Sequence, residues 1–197
     1  PLPSSPSMFD PSLSLAEARR VLERFDTEDT RVRIGTIVHL CARAIRSGGK
    51  LLACGNGGSL ADAMHFCEEL TGRFRHDRPA YPAIALSDAT HLTCVANDYG
   101  YDRVFARGVE AFGRPGDVLI ALSTSGLSPN VIAAAEEART RSLAVVALTG
   151  ERECPLHAFA DVILAAPGET SDRIQELHML ALHVVVEGIE AELAITG

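Results

Sequence analysis

Gly116-Asp117-Val118-Leu119-Ile120-Ala121-Leu122-Ser123-Thr124-Ser125-Gly126-Leu127-Ser128-Pro129-Asn130 joins a short apolar run, a hydroxyl-rich loop and the start of a helix near Pro129. An apolar run of strand length that passes through a polar loop into a helix is one unit of a parallel sheet. Outward from this stretch the unit recurs. Apolar runs at 50–54, 83–86, 144–148 and 162–165 alternate with helical stretches at 59–70, 102–111 and 129–141. The alternation predicts an α/β fold, with a doubly wound, five-stranded parallel sheet flanked by helices. A last helix is expected over 172–193, and its 177–189 stretch is apolar almost all round, which predicts burial.

Two amphipathic helices precede the first strand. Ser14-Leu15-Ala16-Glu17 reads as a capping box, followed by Leu15, Ala18, Leu22 and Phe25 at helical spacing. Ile34, Ile37, Val38, Cys41, Ala42 and Ile45 share a face of the second helix, which ends at Gly48-Gly49. These helices either cover a sheet face or pair with another subunit, and packing in an oligomer is the expectation.

A length of 197 residues at 47% hydrophobic suits one domain, expected over 11–197. Residues 1–10, with PLPSSPS at their start and Met8 as a natural first residue, are expected to be a disordered leader or cloning remnant. The net charge of −8 without a basic stripe argues against nucleic acid as a partner. Any phosphate must therefore be held locally, by backbone N–H groups and hydroxyls. Five cysteines, odd in number and without a CxxC pair, read as reduced, mostly buried thiols of a cytoplasmic protein. No apolar run reaches membrane-spanning length, so no membrane partner is expected.

Ligands of open parallel sheets bind beyond the carboxyl ends of the strands. Two loops fall there. Gly55-Asn56-Gly57-Gly58-Ser59 allows close backbone approach and ends at a helix N-terminus, although such a turn is often only a turn. Ser123, Thr124, Ser125 and Ser128 gather four hydroxyls on one loop, more than an N-cap needs, and suit a phosphate without lysine. Neither a Walker-type loop nor the GxGxxG fingerprint is present.

His65 and Glu69, four apart on one helix, share a face, as ligands of one divalent ion or as an ordinary surface pair. Asp172, Gln175, His178 and His183 ride on the last helix. A buried histidine is by default a satisfied core residue, the reading given to His178.

The segments GNGGS, AMHFCEELTGRF, RPAYPAIAL, ANDYGYDRVFARGVEA, GDVLIALSTSGLSPN and DRIQELHMLALHVV resemble the sugar isomerase (SIS) family and, within it, the phosphoheptose isomerases, from about Ala16 to the C-terminus. The resemblance implies isomerisation of sedoheptulose 7-phosphate to D-glycero-D-manno-heptose 7-phosphate through an enediol or enediolate, for heptose and surface (lipopolysaccharide) polysaccharide synthesis. It implies one zinc per subunit on His65, Glu69, Gln175 and His183, with Glu69 and His183 as the acid–base pair. It also implies sugar and phosphate contacts from Asn56, Gly57, Gly58, Ser59, Glu69, Asn97, Asp98, Ser123, Thr124, Ser125, Ser128 and Gln175. Asp172 and Arg73 join them as holders of the sugar's polar groups. The plainer readings are a turn for Asn97-Asp98 and a capping box for Asp172 and Gln175.

Gln175 and His183 are separated by about 12 Å of helix rise, too far for one ion to reach both from one chain. Sites shared between subunits are therefore expected, in keeping with the family's homotetramers. Two rivals stand beside the enzyme: a non-catalytic SIS-domain protein that associates with the replication initiator, and an isomerase of another phosphosugar. Relatives of the first kind have asparagine where His183 stands. After Thr149-Gly150, Glu151-Arg152-Glu153-Cys154 departs from the glycine-rich turn that the resemblance would predict.

Overall fold

The computed structural model describes residues 10–194. The expected leader therefore lies, apart from Asp10, outside the described residues. Five strands, β1 (Leu51–Cys54), β2 (Ala83–Ala85), β3 (Val118–Leu122), β4 (Ala144–Gly150) and β5 (Val162–Ala166), form one sheet in the order β2-β1-β3-β4-β5. Every pairing is parallel, with Leu51 opposite Val118 and Cys54 opposite Ala121 at the centre. Asp117, 2% exposed, ties the start of this central pair by accepting from the Lys50 backbone N–H at 2.9 Å and from Lys50 Nζ. The chain steps from β1 outward to β2 and then builds the other way from β3. The crevice at that reversal lies between the loops after β1 and β3.

Alternate residues of each strand feed opposite faces. Leu51, Ala53, Val118, Ile120, Leu122, Val146 and Leu148 pack with Ile37, Val38 and Cys41 of α2 (Glu28–Arg46), Phe66 and Leu70 of α3 (Gly58–Thr71), and Leu177, Leu182 and Val186 of α7 (Ser171–Ala194). Leu52, Cys54, Leu119, Ala121, Val145 and Ala147 pack on the other face. Their partners include Val95 of α4 (Ala89–Tyr99), Phe105 and Val109 of α5 (Val104–Phe112), and Val131, Ala134 and Ala135 of α6 (Pro129–Thr140).

Three expectations change. The first helix, α1, spans Pro11–Phe25 and is capped by the Asp10 carboxylate, which accepts from Ser12 N at 2.9 Å, with Pro11 in the first turn. Ser14 and Glu17 form no capping box; both accept hydrogen bonds from the Arg173 guanidinium, which fastens α1 to α7. Asn97 and Asp98 sit in no turn but in the last turn of α4, a helix the apolar pattern did not mark. α7 is buried along one side only, since Leu180 and Val184 are 40% and 42% exposed.

Candidate active site

α3 and α7 lie side by side and run in the same direction. Near their starts, Gln175 meets Gly58 and Ser59; two turns further, His183 meets His65. The Gln175 amide lies against Gly58, where a Cβ would fall 2.5 Å from Oε1, so a larger residue there would push the Gln175 side chain aside. Gln175 Nε2 donates to Ser59 Oγ at 3.4 Å. It therefore faces α3 and does not close a capping box with Asp172. The Asp172 carboxylate is instead held below its usual range, chiefly by a hydrogen bond to Thr170.

At the far end, His65, Glu69 and His183 each bring one ligand atom within 4.8 Å of the others. His65 Nε2 is 3.2 Å from Glu69 Oε1. The His65 and His183 rings meet edge to face, with centroids 5.1 Å apart, and Phe74 stacks on His183 at 5.7 Å. Two imidazoles and a carboxylate suit a borderline divalent cation such as zinc, and three protein ligands leave a coordination position for another donor. Gln175 is displaced from this trio by about 12 Å of helix rise. Asp62, one turn before His65, has a buried Oδ2 with no hydrogen-bond partner; burial pushes its carboxyl up to about 6, and His65 opposes the shift.

The two loops sit at the crevice. α1, α2 and α4 are each capped by a side chain, whereas α3, α5 and α6 begin without one, and of these α3 and α6 start at the two loops. Within these starts Ser59 N and Leu60 N already donate to Asn56 O and Gly57 O, and Val131 N donates to Ser128 O and Asn130 Oδ1, so an anion would be met by the N–H groups of Gly58 and Asn130 and by the loop hydroxyls. Ser128, the residue before α6, accepts from Ser123 Oγ at 3.2 Å, and Ser123 Oγ accepts from Gly126 N at 3.1 Å. Thr124 Oγ1 lies 3.1 Å from Ser171 Oγ, and Thr124 O accepts from Gly150 N at 3.0 Å. Gly126 has φ +65°, and a Cβ there would collide with Cys154. The residues that depart from a glycine-rich turn thus pack Cys154 directly beneath the loop. A cavity of about 750 Å³ opens beside it, lined by Thr124, Ser125, Gly150, Arg152, Ser171 and Ile174 among others.

The remaining expected residues are less closely engaged. Arg73 is exposed just after α3. Asn97 Nδ2 donates to Asp98 Oδ1 at 2.7 Å, and both residues are exposed. Asn56 is held by Asn130 and Tyr101. His178 is fully buried, with Nε2 3.0 Å from Thr149 O, so it is a core residue as expected, but its Nδ1 has no hydrogen-bond partner and it is only half satisfied. Asn130, Tyr101, Ser171 and Phe74 were not singled out from sequence. Only Asn130 carried a signal, a polar residue one step beyond Ser128-Pro129 at a helix start. Cys41, Cys54 and Cys67 are buried, and burial pushes each thiol up to about 12, which keeps them inert. No helix of the described residues is long and apolar enough to cross a membrane.

Comparison with known proteins yields a consistent set. Residues 15–150 match the SIS domain family. The phosphoheptose isomerase of Edwardsiella ictaluri is 50% identical over 91% of this chain and 94% of its own length. That of Fusobacterium nucleatum is 49% identical over 86% and 88%. Among solved structures, a phosphoheptose isomerase from Neisseria gonorrhoeae superposes with a TM-score of 0.85 at 39% identity, over 91% of this chain and 96% of its own. One from Francisella tularensis gives 0.74 at 34%, over 89% and 97%.

Proposed function

This chain belongs to the phosphoheptose isomerase family of SIS-domain proteins and is a phosphosugar isomerase; from that premise we propose that it converts sedoheptulose 7-phosphate to D-glycero-D-manno-heptose 7-phosphate. The observation that carries the proposal is the convergence of His65, Glu69 and His183 on α3 and α7, about two helical turns from the start of α3 and its glycine-rich loop. An acid–base pair set a sugar's length from an anion site is what a phosphorylated ketose needs, and a purely binding protein has no use for the first.

The phosphate is held by N–H groups at the starts of α3 and α6 and by the hydroxyls of Ser59, Ser123, Thr124, Ser125 and Ser128, with Asn56, Gly57 and Gly58 shaping the pocket. Asn97, Asp98, Asp172, Gln175 and Arg73 contact the sugar chain. Isomerisation moves one proton from C1 to C2 and one between the two oxygens, through an enediol or enediolate. Glu69 and His183 exchange these protons, and Phe74 stacked on His183 fixes the imidazole plane. His65, Glu69 and His183 hold one zinc per subunit, with Gln175 of a neighbouring subunit as a further ligand. When bound, zinc acts as a Lewis acid that stabilises negative charge developing on the sugar oxygens.

The apolar side chains left open on α1 (Leu13, Leu15), α3 (Met64) and α7 (Leu180, Val184) support assembly through these helices, as a homotetramer. We place the reaction in the cytoplasm, in heptose supply for surface polysaccharide. Turnover of sedoheptulose 7-phosphate should fall on chelation and return with added zinc. Turnover indifferent to chelator, in protein verified metal-free, would remove zinc from the account. Tight binding of the sugar phosphate without turnover would sink the proposed reaction.

A further inference from the structure

The crevice between β1 and β3 is spanned by a pair of amides. Asn56, in the loop after β1, and Asn130, in the first turn of α6 after β3, exchange two hydrogen bonds. Asn56 Nδ2 donates to Asn130 Oδ1 at 2.8 Å, and Asn130 Nδ2 donates to Asn56 Oδ1 at 2.9 Å. Two further donors fix which way each amide points. The backbone N–H of Val131 donates to Asn130 Oδ1 at 3.0 Å, and the Tyr101 hydroxyl donates to Asn56 Oδ1 at 3.1 Å. Turning either amide over would set N–H against N–H or oxygen against oxygen.

Asn130 is 1% exposed, so its polar atoms have no recourse to water and the pairing is obligatory. The consequence reaches Asn56. Both lone pairs of its Oδ1 are engaged and one Nδ2 hydrogen faces Asn130, which leaves a single N–H on a half-buried amide beside Gly57 and Gly58.

We propose that Asn130 is a positioning residue for the phosphate group of the substrate. It holds the Gly55–Ser59 loop against the Ser123–Ser128 loop at the separation one phosphate can bridge, and it turns Asn56 so that a donor faces the anion. The inference rests on the reading that these two loops bind phosphate. Tyr101 extends the linkage to the segment that follows Asn97 and Asp98, so the phosphate end and the sugar end share one hydrogen-bonded support.

The test compares kcat and KM for sedoheptulose 7-phosphate, and competition by inorganic phosphate, in the wild type, Asn130→Asp, Asn130→Ala and Ser123→Ala. Asn130→Asp keeps the acceptor for Val131 N but loses the donor to Asn56; Asn130→Ala removes the pairing without adding charge. Both should raise KM and the phosphate inhibition constant about tenfold to hundredfold, the value of one hydrogen bond to a charged group, with kcat within about threefold. Zinc affinity, read by competition with a chromophoric chelator, should stay unchanged. A merely structural role would lower the melting temperature and the active fraction, and hence apparent kcat, at constant KM. That pattern would overturn the proposal. If one Asn130 variant fails to fold, the other decides. Should Ser123→Ala also leave KM and phosphate competition unmoved, the phosphate reading of the loops falls with it; if only the Asn130 variants leave KM unmoved, the positioning role alone falls.

Discussion

His178 sits five residues before His183 on one helix, yet the two histidines do different work because their surroundings differ. His183 is half-buried against His65 and Phe74. His178 is fully buried, gives its Nε2 to Thr149 O, and leaves Nδ1 without a partner; burial pushes its pKa down to about 4 from 6.5. Between those values the unfolded chain takes up a proton that the folded chain refuses. The contribution of His178 to stability is therefore complete above pH 6.5 and is lost as pH falls to about 4, a change on the order of 3 kcal/mol. Asp62 works in the opposite sense, since its raised pKa favours the folded state as pH falls through about 6. The prediction is thus a difference. Urea unfolding of wild type and His178→Gln, which keeps an N–H donor for Thr149 O, should show the gap between them shrinking toward acid pH, whereas parallel curves would contradict the assignment. From sequence, helical spacing put His65 and Glu69 on one face but left a surface pair as an open reading, and only the family resemblance singled out His183. Asn130 and Phe74 were not singled out, because their roles come from partners 74 and 109 residues away.

At the scale of elements, the site depends on α3 and α7 keeping their register. Arg78 supplies much of that. Its guanidinium donates to the carbonyls of Glu69 and Leu70 at 2.7 Å each, closing the end of α3, and to Glu190 of α7 at 2.8 Å, while stacking over Tyr81 at 4.2 Å. The Arg78 and Glu190 side chains are only 9% and 15% exposed. Arg78→Met should therefore cost about 3–5 kcal/mol by leaving Glu190 buried and unpaired, and the double variant Arg78→Met, Glu190→Leu should recover part of it in denaturant unfolding. Non-recovery would mean that the helix-end carbonyls, more than the ion pair, need Arg78. The five strands could be read in advance, each within two residues of its observed ends, because strands buried on both faces are simple apolar runs. α4 could not, since Ala89–Tyr99 buries only Val95; its readable sign was Asp88, whose carboxylate accepts from His91 N at 2.7 Å. The start of α1 was misplaced because Ser14 and Glu17, a good capping pair by spacing, are claimed by Arg173.

The whole molecule poses the question of assembly. One chain gathers His65, Glu69 and His183, but places its own Gln175 beside Ser59 at the start of the same helix pair. If a neighbour's Gln175 completes each site, mixing inactive Gln175→Ala and His183→Ala subunits should restore part of the turnover under conditions of subunit exchange, and no recovery would favour self-contained sites. The central claim is that the trio on α3 and α7 performs an aldose–ketose isomerisation. Proton NMR of sedoheptulose 7-phosphate incubated with wild type and with Glu69→Gln tests it most directly. Aldose 7-phosphate signals should grow in with the wild type and at least a hundredfold more slowly with Glu69→Gln, on the scale expected for losing a general acid–base group, about 10²–10⁴. An unchanged ketose spectrum with active-site-intact wild type, or equal rates for the two proteins, would contradict it.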